Sequence, residues 1–156
     1  MGLTARQVME TRFETLRPEM TIPEAVSRFQ RAGRELGQMV FGMMVTDGAG
    51  RLLGLLSIYD ILLLLRPKHI HIWGEMEDLD ISGVLESACR RAQGVLVGDI
   101  MSTEVITITP DTHLLLIIDI MIKKHVRRLP VLEEGKILGI VYLSAVFNHL
   151  QERLGG

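Results

Sequence analysis

The sequence predicts an α+β fold with two small sheets, built by using one β-α-β-β-α unit twice. Three observations lead there. Short motifs recur at long, regular spacings. Each copy alternates β-branched stretches with helical apolar stripes. Each copy also joins two apolar runs through a glycine-containing turn. Val8-Met9 answers Ile100-Met101, Pro18-Glu19 answers Pro110-Asp111 and Ile22 answers Leu114, all 92 residues apart. Further on, Gly54-Leu55-Leu56 answers Gly139-Ile140-Val141 at a spacing of 85. The first copy is therefore longer by seven residues, and most of that excess lies within RAGRELGQMV, between Phe29 and Met44. The expected organisation is copy one over 3–65, a spacer over 66–94 and copy two over 95–154.

Each copy opens with a short apolar segment ending at Met9 or Met101. A strand follows, through Phe13 and Leu16 in copy one and through the alternating Val105-Ile106-Thr107-Ile108 in copy two. The next helix starts in copy one at Thr21-Ile22-Pro23-Glu24, a capping box with proline in the first turn. Ala25, Val26 and Phe29 give its apolar stripe. In copy two Asp111 or Thr112 can cap, and Leu114–Ile122 is the helix body. A strand–turn–strand unit comes next. Asp47-Gly48-Ala49-Gly50 turns the chain in copy one and Glu133-Glu134-Gly135-Lys136 in copy two. A closing helix spans Ile58–Leu65 or Ala145–Leu154. In the spacer, Arg66-Pro67 stops the preceding helix. Lys68–Trp73 alternates as an extended segment would, and Val84–Gln93 reads as a helix with Ser82 as cap and Gly94 as stop.

Composition narrows the function. The formal net charge is −2, so no global basic field points to nucleic acid. The densest basic cluster, Lys123 to Arg128, has no aromatics interleaved, so a nucleic-acid surface is not expected. One cysteine, Cys89, excludes an intrachain disulfide and fits a reducing, cytoplasmic compartment. Cys89 is expected as a small buried helical residue. The N-terminus lacks the apolar core of a signal peptide. The apolar runs Leu52–Leu65 and Leu114–Ile122 are too short to span a bilayer and each holds an aspartate, so both are expected as buried elements and no membrane association is expected. His69 and His71 share a strand face and Glu75 follows, but two imidazoles and a carboxylate make a weak metal signal, and no metal is expected. Trp73 reads as a packing or interface residue. No nucleophilic triad, P-loop or dinucleotide fingerprint occurs, so an enzyme is not expected.

Three local patterns together resemble the CBS domain family. They are Met101 to Asp111, Arg127 to Glu133 followed by Gly139-Ile140-Val141, and Gly54 to Asp60. The resemblance implies a tandem pair of CBS domains, a Bateman module, packed about a pseudo-twofold axis and often dimeric. It implies a regulatory module that binds an adenine nucleotide in the clefts between its domains. The family's ligand motif is glycine, two apolar residues, serine or threonine, two residues, then aspartate, and Gly54, Ser57 and Asp60 match it. The resemblance assigns the ribose hydroxyls to Asp60, since a carboxylate can accept from both. It assigns phosphate to Ser57, Arg127 and Arg128, and the base to Thr103, Val105 and Val126. Ser57 and Asp60 also make sense as a helix-capping pair, and the lysines with His125 as a solvated helix end. Copy two has Tyr142-Leu143-Ser144-Ala145 where copy one has Ser57-Ile58-Tyr59-Asp60, and Val40-Phe41-Gly42 replaces the basic pair in copy one. One competent and one degenerate cleft are therefore expected. No cofactor is required on this reading. The expected partners are an adenine nucleotide, a second copy of the chain and a separate effector protein. The rival expectations are a ligand-free interaction scaffold that works through its spacer, and a sensor of an S-adenosyl compound.

Overall fold

The structure, a computed structural model, describes residues 3–66 and 81–156. In chain order the elements are α1 (Ala5–Val8), β1 (Thr15–Leu16), α2 (Ile22–Leu36), β2 (Gly42–Thr46), β3 (Leu52–Ser57), α3 (Ile58–Leu65), α4 (Ile81–Ala92), α5 (Val97–Ile100), α6 (Leu114–Lys124), β4 (Arg128–Glu133), β5 (Lys136–Tyr142) and α7 (Leu143–Gly155). The chain forms two compact units, each discontinuous in sequence. One comprises 1–13, 49–52 and 104–156, hereafter the α6–α7 unit. The other comprises 14–48 and 53–103, hereafter the α2–α3 unit.

In the α2–α3 unit the sheet order is β1-β2-β3, with β1 parallel to β2. All five residues of β2 are buried, as a central strand requires. Met43 and Val45 join Leu16, Ile22, Ala25, Leu56 and Val97 in the core. Thr46, facing the other way, spends its hydroxyl on Thr15 Oγ1 at 3.3 Å. Thr21 caps α2 as its sequence predicts, but only half of the expected box forms: the Glu24 N–H donates to Thr21 Oγ1 at 3.4 Å, while the Glu24 carboxylate accepts the Thr21 hydroxyl at 3.2 Å, and Pro23 sits in the first turn. The helix ends on Gly37 in the left-handed region (φ 70°). In the α6–α7 unit, Leu114, Ile117 and Met121 of α6 pack on Leu129, Val131 and Val141 of the hairpin, with Ala5, Val8 and Val146 completing the core. Glu134 (φ 53°) and Gly135 (φ 80°) make the two-residue turn between β4 and β5, the positive φ pair of a type I′ hairpin.

The two glycines that carry the repeat do the same job in each unit. Gly54 lies where the Met101-Ser102 backbone crosses β3: Leu55 and Ser102 exchange hydrogen bonds of 2.8 and 2.9 Å. Gly139 lies where Met9-Glu10 crosses β5, with Glu10 and Ile140 exchanging bonds of 2.8 and 2.9 Å. Each repeat's opening segment thus pairs with the β-hairpin of the other repeat.

Several expectations are corrected. The expected strand at Val105–Ile108 reduces to one parallel bridge between Ile108 and Val131, because Ile108 alone of the four is buried. The cap of α6 is His113, whose Nδ1 accepts the Leu115 N–H at 3.0 Å; the Thr112 hydroxyl is taken by Thr109 N–H in the preceding turn. The helix α7 starts at Leu143, two residues before Ala145, and α4 starts at Ile81, so Ser82 lies inside the helix and cannot cap it. Cys89 is exposed, because the buried face of α4 runs through Ala88 and Ala92. The apolar runs are only partly buried. No residue of α3 is fully buried, and Leu62, Leu63, Leu115, Leu116 and Ile122 are exposed, since a helix presents only one face to its sheet. The expected extended segment 68–73, Trp73 and the His69/His71/Glu75 set lie outside the described residues.

The helix α6 ends on His125, a non-glycine residue at φ 53°. The left-handed conformation costs an L-residue about 1 kcal/mol. His125→Gly is expected to raise stability by about 0.5–1 kcal/mol, read as a higher urea midpoint at unchanged slope.

Candidate functional site

The junction from β3 to α3 positions the first pair of residues. Ser57 is extended (φ −109°, ψ 162°) and caps α3. Its Oγ accepts the Asp60 N–H at 3.1 Å, while Asp60 Oδ2 accepts the Ser57 N–H at 2.8 Å and the Ser57 hydroxyl at 2.9 Å. The capping arrangement is therefore fully formed. Asp60 Oδ1 has no partner among the described residues and keeps its acceptor capacity. The Ile58 N–H donates to the Phe41 carbonyl at 2.9 Å, which ties the start of α3 to the residue just before β2.

The second group sits at the corresponding corner of the α6–α7 unit. Val126 packs against the core, Arg127 is exposed, and Arg128 opens β4 half-buried, opposite Tyr142 in the ladder. The Leu143 N–H donates to the Arg127 carbonyl at 2.8 Å, the counterpart of the Ile58–Phe41 bond. Burial holds the Arg128 pKa below the usual arginine value; Tyr142 opposes that shift and the Arg127 charge adds to it. Burial likewise pushes the Tyr142 phenol up, against the pull of Arg128 and with help from Glu10. Neither arginine has an acidic ion-pair partner among the described residues. A guanidinium does not deprotonate in a protein, so this corner carries two positive charges without an ion pair among the described residues.

Thr103 is exposed and ends the α2–α3 unit, one residue beyond the Ser102–Leu55 bridge, and half-buried Val105 lies in the α6–α7 unit. The structure thus brings Ser57 together with Asp60 and sets Arg128 opposite Tyr142, with Val126 and Arg127 preceding it in the chain. The acceptor chemistry belongs to one unit and the cationic chemistry to the other. Sequence reasoning treated Tyr142 only as a replacement and missed it as the neighbour of Arg128. Among the described residues no three His, Cys, Asp or Glu side chains cluster to hold a metal ion, and no helix is long and apolar enough to cross a membrane.

The family model for the CBS domain matches twice, over residues 5–67 and 97–152. The chain belongs to the CBS domain family. This CBS pair resembles solved structures over nearly its whole length. The CBS-pair protein CBSX2 from Arabidopsis thaliana is 22% identical with a TM-score of 0.75, covering 100% of this chain and 99% of that one. A structure of CBSX2 in complex with AMP is also 22% identical, with a TM-score of 0.72 over 98% of this chain and 99% of that one. The cytosolic domain of the Mg2+ channel MgtE in complex with ATP is 24% identical, with a TM-score of 0.66 over 91% of this chain and 46% of that one. No curated protein sequence matches this one.

Proposed function

We propose that this CBS pair is a regulatory, non-catalytic module that binds an adenine nucleotide, AMP, ADP or ATP. The observation that carries the proposal is the Arg127–Arg128 corner, where a half-buried guanidinium lies beside a second one and neither has an acidic ion-pair partner among the described residues. Burying a cation without a counter-charge is unfavourable, and a bound phosphate relieves it with bidentate hydrogen bonds. In this reading Arg127 and Arg128 meet the phosphates, the free Oδ1 of Asp60 accepts from the ribose, and Ser57 holds Asp60 in place as well as facing the ligand. Thr103, Val105 and Val126 line the base. The complexes of CBSX2 with AMP and of MgtE with ATP support the ligand class. The module works in the cytoplasm as a homodimer and signals to a separate effector protein. The exposed Leu115, Leu116 and Ile122 of α6 support self-association. Ligand binding shifts the module between conformations that the effector distinguishes.

The test is a thermal-shift series with AMP, ADP, ATP, GTP and S-adenosylmethionine. A ligand at a hundred times its Kd adds about 2.7 kcal/mol to the folded state. Adenine nucleotides are expected to raise the Tm, and Asp60→Ala to shrink that ligand-induced increment. The increment is the proper readout, because Asp60→Ala also loosens the α3 cap. No increment with any adenine nucleotide at millimolar concentration defeats the proposal. A shift with S-adenosylmethionine alone replaces it with the S-adenosyl reading.

A further inference from the structure

The α2–α3 unit holds a cavity of about 650 Å3 between α2, the connection that follows it, and α3. The volume is typical of small-molecule sites. Val26, Phe29, Val40, Ile58 and Ile61 make its walls apolar, and Met39 stands at its rim, 68% exposed. Much of the cavity is built by the stretch that holds the extra residues of copy one. The helix α2 has 15 residues where α6 has 11, and the added turn and connection supply Gly33, Arg34, Gln38, Met39 and Val40. Gly33 lets that connection close down on the helix, since a Cβ there would stand 3.2 Å from the Gln38 carbonyl oxygen.

The charges of α2 are disposed unevenly. Arg28 donates to the Thr15 carbonyl at 3.4 Å and Arg31 pairs with Glu14. Arg34, one turn further and on the cavity, has no hydrogen-bond or ion-pair partner among the described residues. The cavity therefore offers an apolar wall, one uncommitted guanidinium, and the side-chain amides of Gln30 and Gln38. From these we infer a second ligand site, separate from the nucleotide groups: the α2–α3 cavity takes a small apolar monoanion, an aliphatic or aromatic carboxylate, with its tail on Phe29 and Ile61 and its head at Arg34. One cation matches one negative charge, and the apolar wall favours a tail without hydroxyls.

The experiment uses the full chain with 13C-methyl-labelled methionine, titrated with octanoate while the Met39 methyl resonance is followed. A saturable shift of Met39 at millimolar octanoate is expected. Binding of 1-octanol, which lacks the charge, is expected to be about fivefold weaker, and Arg34→Glu is expected to weaken octanoate by at least about fivefold. Gln30→Trp, at an exposed helix position, fills the cavity and abolishes the shift. Arg128→Ala, which lies in the other unit, leaves octanoate binding unchanged, so the outcome is independent of the nucleotide proposal. Equal binding of octanol and octanoate, or unchanged octanoate binding in Arg34→Glu or Gln30→Trp, overturns the inference. A Met39 resonance that responds to protein concentration and not to octanoate also overturns it, and assigns the groove to a second copy of the chain.

Discussion

Alanine at Gly139 is expected to destabilise the protein by about 2–3 kcal/mol, the upper range for overpacking a well-filled site. A Cβ at this position would lie 2.7 Å from the Glu10 carbonyl oxygen and 3.1 Å from Met9 Cγ and Sδ. The methionine can swing aside, but the carbonyl cannot. It accepts the Ile140 N–H at 2.9 Å, while the Glu10 N–H donates to Ile140 at 2.8 Å. Moving Glu10 away breaks both bonds and strips α1 from the core it shares with α6. Gly54→Ala meets the same obstacle at the Ser102 carbonyl, 2.6 Å from the added carbon, and is expected to cost as much. Gly94→Ala is the control: its nearest neighbour is 3.9 Å away and its effect is expected within about 0.5 kcal/mol. Urea unfolding of the three variants checks this. Gly139→Ala and Gly54→Ala matching Gly94→Ala in midpoint would refute the close-approach account.

Arg128→Ala is expected to lower ATP affinity by about tenfold or more, the loss that goes with hydrogen bonds to a charged group. Adenosine, which lacks phosphate, is expected to bind the parent and the variant alike. The stability of the ligand-free protein is expected to change by less than about 1 kcal/mol. The variant gives up the packing of the arginine stem but also removes an uncompensated half-buried cation. Calorimetric titration with both ligands separates the cases. Equal affinity of the parent for ATP and adenosine would remove phosphate recognition from this corner, and an unchanged ATP affinity in Arg128→Ala would remove Arg128 from it.

Local features of the fold were readable because they are decided by adjacent residues. The Thr21 cap, the Glu134-Gly135 turn, the Ile58–Leu65 helix and the paired glycines all follow from short-range chemistry, and the repeat supplied a second reading of the plan. The candidate site was half legible. Ser57 and Asp60 are three residues apart and meet as the capping reading implies. The partnership of Arg128 with Tyr142 was hidden by a bulge. Counting back from the Glu134-Gly135 turn places Arg128 opposite Val141, but the register shifts between Val131 and Leu132 and brings it opposite Tyr142. A slip of one residue changes which side chain stands opposite which, and nothing local announces it. His113 was overlooked as a cap because better capping residues precede it, and the turn that disables Thr112 involves Thr109. Cys89 was misjudged because composition cannot tell which face of a helix meets its neighbours.

The exchange of opening segments governs the order in which the chain can become structured. When residues 1–65 have left the ribosome, a whole sequence repeat has been made, yet neither unit is complete. The α2–α3 unit waits for Val97 to fill its core and for Ser102 to cover Gly54, and the first helix, α1, waits for the β5 strand more than a hundred residues later. Nascent chains therefore carry apolar surfaces whose partners are still unmade, and the last contacts of both units close long loops. Such a molecule has many contacts between residues far apart in sequence, which predisposes it to slow folding and to late, nearly simultaneous completion of its two halves. Its two repeats are alike in plan but are not separable modules, and a cut between them at residue 66 leaves each fragment without a segment that its core requires.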